Sequence, residues 1–306
     1  MNITGDRTAR AALTRLFEPA DRVVAAIIGQ LGAYATLRLL TGEQAPHALK
    51  GVTPEELTAA VARAAQHYTG DIDPQKDLDD AAAMGGGFLI PGDEHWPEGV
   101  DDLEVPPLGL WYRGNLTAGI PATDRCVTLT GSRDCTAYGA AIAGDFAHGL
   151  AQRGITVISG LGYGVDAISH KSALAGGTPK AMSTIAVVAG GVDRFYPSGN
   201  ADLGRALLGT GLMISEMPAG TAPTRHRFLQ RGRIMAALSG AVCVVEARYR
   251  SGALNTAHHA ETIARHVAVV PGPVTSANSA GCHRLARDGS AVLVTETNEL
   301  MELLTS

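Results

Sequence analysis

The chain has 306 residues, 45% of them hydrophobic, with 37 glycines and a formal net charge of −5 at pH 7. That hydrophobic content excludes a disordered chain and allows one large domain plus a smaller one. No apolar run reaches the roughly 18 residues a membrane span needs, the N-terminus lacks the apolar core of a signal peptide, and four cysteines without a CxxC pair read as buried thiols of a reducing, cytoplasmic protein rather than a disulfide or zinc framework.

Residues 1–68 read as a helical N-terminal domain. Leu13, Leu16 and Phe17 share one face, and Val23, Val24, Ile27, Ile28 and Leu31 form the next stripe. Gly29 and Gly32 allow close packing or a short turn. Thr53-Pro54-Glu55-Glu56 carries a helix-start pattern, with Thr53 as N-cap and Pro54 at the first helical position. The acidic, polar stretch 69–83 reads as a linker. Phe88-Leu89-Ile90 and Leu108–Tyr112 are short strand candidates among breaking prolines. From Arg125 onward, strands predicted at 125–130, 155–158, 185–188, 212–215, 241–246, 267–270 and 291–294 alternate with helices. Short apolar strands separated by helices predict an α/β fold, a doubly wound, mostly parallel sheet covered on both faces, over 84–306.

Three glycine turns follow short β-branched runs: Thr130-Gly131-Ser132-Arg133, Ser159-Gly160-Leu161-Gly162-Tyr163-Gly164 and Ala189-Gly190-Gly191. A strand that ends in glycine and opens a helix leaves backbone N–H groups free for an anion. A fourth polar turn begins at Ser251-Gly252. Gly131 lets a phosphate approach, Ser132 offers a hydroxyl and Arg133 a charged fork. The Gly160, Gly162 and Gly164 spacing is not that of a dinucleotide fingerprint, since Asp166 follows at once. It reads as a generic phosphate or sugar turn. Asp166 and His170 stand one helical turn apart, as a pair or as a cap and a helix-end histidine.

Charge is distributed unevenly. Arg225, Arg227, Arg231, Arg233, Arg248 and Arg250 share the 225–250 stretch with one acid, Glu246. Arg227 and Arg231 lie at i, i+4 and would repel unless an anion sat between them. Phe228 between them suits base stacking on a single strand. His258, His259 and Glu261 read as helix-surface residues rather than metal ligands, and neither a nucleophile elbow nor a Walker A loop is present. Phosphate cradles without an evident nucleophile, base or metal point to binding rather than turnover. No catalytic residue, cofactor or metal is expected. The competing reading is a nucleotide-binding sensor or nucleotide-cleaving enzyme on a related Rossmann-like fold, using Asp166, Glu216 and Glu246.

Taken in order, these motifs resemble the DNA-processing protein A family (DprA, also called Smf). The matching stretches include Thr130–Arg133, Ser159–Asp166 with His170, Gly190-Gly191-Val192-Asp193 with Tyr196-Pro197, Ser215–Pro218, Arg227-Phe228 with Arg231–Ile234, Val245–Ala247, Ser251-Gly252 and Val270–Gly272. Pro91-Gly92-Asp93 and Tyr112–Asn115 fit the family's lead-in, so the resemblance covers roughly 84–295. It implies an extended Rossmann-like domain preceded by a small helical one, a homodimer that binds single-stranded DNA and helps load the recombinase RecA during natural transformation. It also implies that Gly131, Ser132 and Arg133 hold phosphates while Arg225, Arg227, Phe228, Arg231 and Arg233 complete the groove. Two departures stand out. Gly232 occupies a position where the family commonly has asparagine, and the chain stops at Ser306, leaving no room for the C-terminal winged helix of some members.

Overall fold

Four helices open the chain in a computed structural model that describes residues 5–44, 48–67, 72–178 and 181–305. They are α1 (Asp6–Leu16), α2 (Arg22–Leu40), α3 (Pro54–His67) and α4 (Pro74–Ala83). Leu13 and Leu16 of α1, Val24, Ile27, Leu37 and Leu40 of α2, and Leu57, Ala60 and Ala64 of α3 pack into one buried cluster. Thr53 does start α3. Its Oγ1 accepts the Glu56 N–H at 3.1 Å, and the Glu56 carboxylate accepts the Thr53 N–H at 2.9 Å, a reciprocal box that satisfies two otherwise orphan donors.

Two sequence expectations are corrected here. Helix α2, at 19 residues and a mean hydropathy of 1.6, is long and apolar enough to cross a membrane by length and composition. Its backbone breaks at Gly32, where φ is 77°, so neither half approaches the roughly 20 residues of a span. Its buried side chains belong to the helical cluster. The second correction concerns the linker. Residues 69–71 lie outside the described residues, but 74–83 form α4. The Asp73 carboxylate accepts the Lys76 N–H at 3.0 Å and Pro74 occupies the first helical position. The acidic composition concealed this cap, because Asp77 is buried against Arg15 of α1 rather than solvated. Ala81 of α4 and Ala11 of α1 pack on Phe88 and Trp111, which seats these helices against the sheet.

The rest of the chain runs β1 (Gly86–Leu89), β2 (Leu110–Gly114), β3 (Cys126–Thr130), α5 (Ala137–Gln152), β4 (Thr156–Ser159), α6 (Val165–Gly176), β5 (Thr184–Val187), α7 (Ala201–Thr210), β6 (Leu212–Ser215), α8 (Arg225–Ala237), β7 (Ala241–Val244), α9 (Ala253–Thr262), β8 (His266–Val269), α10 (Ala280–Arg287), β9 (Val292–Leu293) and α11 (Thr297–Glu302). The strands form one sheet in the order β1-β2-β6-β5-β4-β3-β7-β8-β9. β1 and β2 pair antiparallel with each other and β2 with β6. All other pairings are parallel. The α/β, doubly wound, mostly parallel sheet expected from the alternation is present.

Side chains alternate across the sheet. Val127, Leu129 and Val157 face Phe146, Ala147 and Leu150 of α5. Cys126, Ile158 and Ile185 face Ile234, Met235 and Leu238 of α8, while Val242 and Val244 meet Leu254 and Ala257 of α9. Each such fully buried aliphatic contributes about 1.5–3 kcal/mol, which outweighs the weak propensity of four-residue strands. Strand β3 lies between β4 and β7. The chain passes to one side of β3 through β4, β5 and β6, then returns to its other side. The connections after β3 and β7 therefore part toward opposite faces and open a crevice at their carboxyl ends, the usual ligand position in open parallel sheets.

Candidate nucleic-acid interface

That crevice is a cleft of about 850 Å³. It is floored by residues 130–134 after β3 and by Asp166. Tyr196 and the start of α8 form one wall, and Arg248, Arg250 and the start of α9 form the other. Of the expected site residues it gathers Gly131, Ser132, Arg133, Arg225, Phe228, Arg231, Ser251 and Gly252. Five arginines line it against two aspartates, Asp134 and Asp166. Arg248 pairs with Asp134, and Arg231 lies 3.6 Å from Asp166. Among the described residues, Arg133, Arg225 and Arg250 have no carboxylate partner. The cleft therefore keeps three uncompensated guanidinium groups although the chain as a whole is acidic.

Phe228 stands among them. The Arg133 guanidinium lies 4.9 Å and that of Arg231 5.2 Å from its ring centroid, and the Tyr196 ring packs beside it at 5.8 Å with a 52° tilt. Such cation–π contacts contribute about 0.5–2 kcal/mol each. They hold two cations against an aromatic face, so one surface offers stacking and charge together. Tyr196 is half exposed. The sequence motifs give it no site role, although the Tyr196-Pro197 dipeptide is among the stretches that match the family.

The glycine turns behave differently from the expected phosphate cradles. The Ser132 N–H donates to the Glu246 carbonyl at 2.7 Å, and the Ser132 hydroxyl donates to Asp134 at 2.6 Å. That bond, aided by Arg248, holds the Asp134 carboxyl below its ordinary range. The Glu246 carboxylate accepts the backbone N–H of Thr136, at 2.8 Å, and its hydroxyl, at 2.7 Å. The protein's own carboxylate thus occupies the positive end of α5. The Gly160–Gly164 turn is also spent internally. The Gly162 N–H reaches Asp166 at 3.3 Å, Gly160 lies beneath Arg231, and Gly164, at φ 70°, seats the turn on the carbonyls of Ser132 and Arg133. None of Gly160, Gly162 and Gly164 lines the cleft. The turn at 189–191 packs under residues 218–223, with the Gly191 N–H donating to Thr221 at 2.9 Å.

Arg227 and Arg233 also depart from expectation. Arg227 makes two bonds to the Glu18 carboxylate, at 2.7 and 2.8 Å, so it diverges from Arg231 instead of sharing an anion with it. Arg233 is buried, pairs with Glu216 and donates to the Val105 carbonyl at 2.9 Å. Burial raises the Glu216 carboxyl above its ordinary range, with Arg233 opposing. Helical spacing could not tell which arginine faces a wall and which faces the core. The Asp166–His170 alternative resolves as well. His170 is buried with Nδ1 at 2.7 Å from Thr184 Oγ1 and Nε2 at 2.5 Å from the Gly160 carbonyl, and burial pushes its pKa down to about 4. The departure at Gly232 is a packing feature. A side chain there would start 2.8 Å from Thr256 Oγ1 on α9.

Residues 87–305 match the family model for DNA recombination-mediator protein A. The chain belongs to this family. A Mycobacterium tuberculosis relative is 38% identical over 315 residues, covering 98% of this chain and 76% of the relative. The Escherichia coli protein Smf is 38% identical over 218 residues, 71% of this chain and 56% of its own. The crystal structure of DNA processing protein A from Streptococcus pneumoniae superposes with a TM-score of 0.74 at 27% identity, covering 99% of this chain and 98% of that one. The solved structure of DNA processing protein A from Helicobacter pylori, described for its single-stranded DNA binding mode, gives 0.63 at 27% identity over 71% of this chain and 95% of its own. As a member of the DNA recombination-mediator protein A family, the chain carries the cleft on the part of the sheet that the family model spans.

Proposed function

We propose that this chain binds single-stranded DNA without sequence preference in the arginine cleft, protects it, and helps load the recombinase RecA on it during DNA uptake and recombination. In this reading it acts in the cytoplasm as a homodimer and as a binding protein rather than an enzyme. The observation that carries the reading is that Arg133, Arg225 and Arg250, which have no carboxylate partner among the described residues, line the same cleft as the Phe228 ring. Free cations take phosphates, and an aromatic face accepts any base. The single-stranded DNA binding described for the Helicobacter pylori relative supports it.

The nucleotide sensor or nucleotide-cleaving reading has less support. Asp166, Glu216 and Glu246, its three carboxylates, are engaged by Arg231 and Gly162, by Arg233 and by Thr136 respectively. Fluorescence anisotropy with labelled oligonucleotides tests the two. The DNA reading expects similar affinities for unrelated single strands and a logarithmic fall with salt. Binding no better than to an unrelated polyanion, or tight binding of free nucleotides only, would reject it.

A further inference from the structure

Tyr249 stands in the connection between β7 and α9, between two cleft-lining arginines, Arg248 and Arg250. It is 56% exposed. Beneath its ring lies the Arg284 guanidinium of α10, 4.6 Å from the centroid, and Arg284 also donates to the Tyr249 carbonyl at 3.4 Å. The segment is clamped. Arg248 pairs with Asp134 and donates to Asn278 at 3.0 Å, while Asn278 donates to the Asp134 carbonyl at 3.0 Å. A large aromatic ring on the surface costs hydration, and here it is held on a fixed turn rather than turned into the core. Phe228 at the cleft shows the same construction, a ring backed by guanidiniums on a fixed element.

We infer that Tyr249, backed by Arg284, is a second base-stacking platform on the cleft rim, which receives a nucleotide of the single strand after it has left the Phe228 wall. The inference rests on the DNA-binding reading and extends it. The strand crosses the rim at Arg250, which has no carboxylate partner among the described residues and supplies the phosphate contact, and a base then lies on the open face of Tyr249. The platform is sequence-tolerant because every base has a flat face. It adds to affinity only when the strand is long enough to reach from Phe228 to the rim.

The test substitutes Tyr249→Trp and Tyr249→Ala in the full chain. Trp96 and Trp111 are the two native tryptophans and both are buried, so a tryptophan at 249 reports from the surface. An oligothymidylate of about twenty nucleotides should quench that emission, and one of about six nucleotides, filling the cleft alone, should bind without quenching it. Tyr249→Ala should weaken the long oligonucleotide about fivefold or more and leave the short one unchanged. Tyr249→Phe should keep full affinity. Wild-type chain that binds neither oligonucleotide would remove the DNA reading and this platform with it. Wild-type binding of both, with no quench and no length-dependent loss, would overturn the platform alone. So would a length-independent loss accompanied by a change of mass in light scattering, since Tyr249 would then serve a contact between copies.

Discussion

Arg133 and Arg227 are both cations at the mouth of one structure, yet they should behave oppositely when removed. Arg133 has no carboxylate partner among the described residues and lies over the Phe228 ring, so its charge is available to a phosphate. Arg227 is neutralised by two bonds to Glu18. A hydrogen bond to a charged group contributes about 1.5–3 kcal/mol, so Arg133→Ala should weaken single-strand binding roughly 10- to 150-fold at low salt. Each phosphate contact to a single strand adds about 0.7 to the slope of log affinity against log salt. Arg133→Ala should lower the slope by that amount, so that across a fourfold rise in salt it loses about 2.6-fold less affinity than the wild type. Arg227→Ala should leave the slope unchanged, because no counterion was displaced by a guanidinium already paired. Anisotropy titrations at four or more salt concentrations measure both. An unchanged slope in Arg133→Ala, or an equal drop in Arg227→Ala, would refute the assignment of free and spent arginines.

Phe228→Ala should cost roughly 1–3 kcal/mol of binding, the range for one base–aromatic stack, with the salt slope intact; a reduced slope would mean that the ring acts only by holding Arg133 and Arg231. The His170 pKa falls from 6.5 in the open chain to about 4 when buried, so its stability contribution is complete above pH 6.5 and is lost as the pH falls toward 4. That loss amounts to about 3 kcal/mol, and urea unfolding across this range should show it for the wild type and much less of it for His170→Gln. Gly164→Ala places a methyl 2.2 Å from the Ser132 carbonyl oxygen at a φ of 70°, so stability should fall by at least the roughly 1 kcal/mol of left-handed strain and lower the melting temperature; an unchanged melting temperature would show that the two turns do not need this contact. Removing one member of the buried Arg233–Glu216 pair, as in Arg233→Met, should cost about 3–5 kcal/mol, and Arg233→Met with Glu216→Leu should recover most of it. A double variant as unstable as the single would point to lost packing instead.

Periodicity settled most of the architecture, and for a physical reason. Strand and helix patterns are local, since the apolar runs of β3 to β7 are buried on both faces whatever their neighbours. The pairing of a glycine turn with the ends of β3, β4 and β5 is equally local. The helix at 74–83 escaped because its buried acid, Asp77, depends on Arg15, a residue 62 positions earlier that composition cannot bring near. Likewise, the sequence alone assembled the arginines and Phe228 as one cluster, but it could not sort them. Which guanidiniums remain free depends on where the Glu18, Asp166 and Glu216 carboxylates lie, and those come from the α1–α2 turn, α6 and the end of β6. The same holds for the glycine turns, whose N–H groups were expected to meet phosphate and instead meet Glu246 and Asp166. Chain composition fixes how many charges a protein carries. Only the fold decides which of them are cancelled, because opposite charges must come within a few ångströms to neutralise one another, and that proximity is a property of tertiary packing.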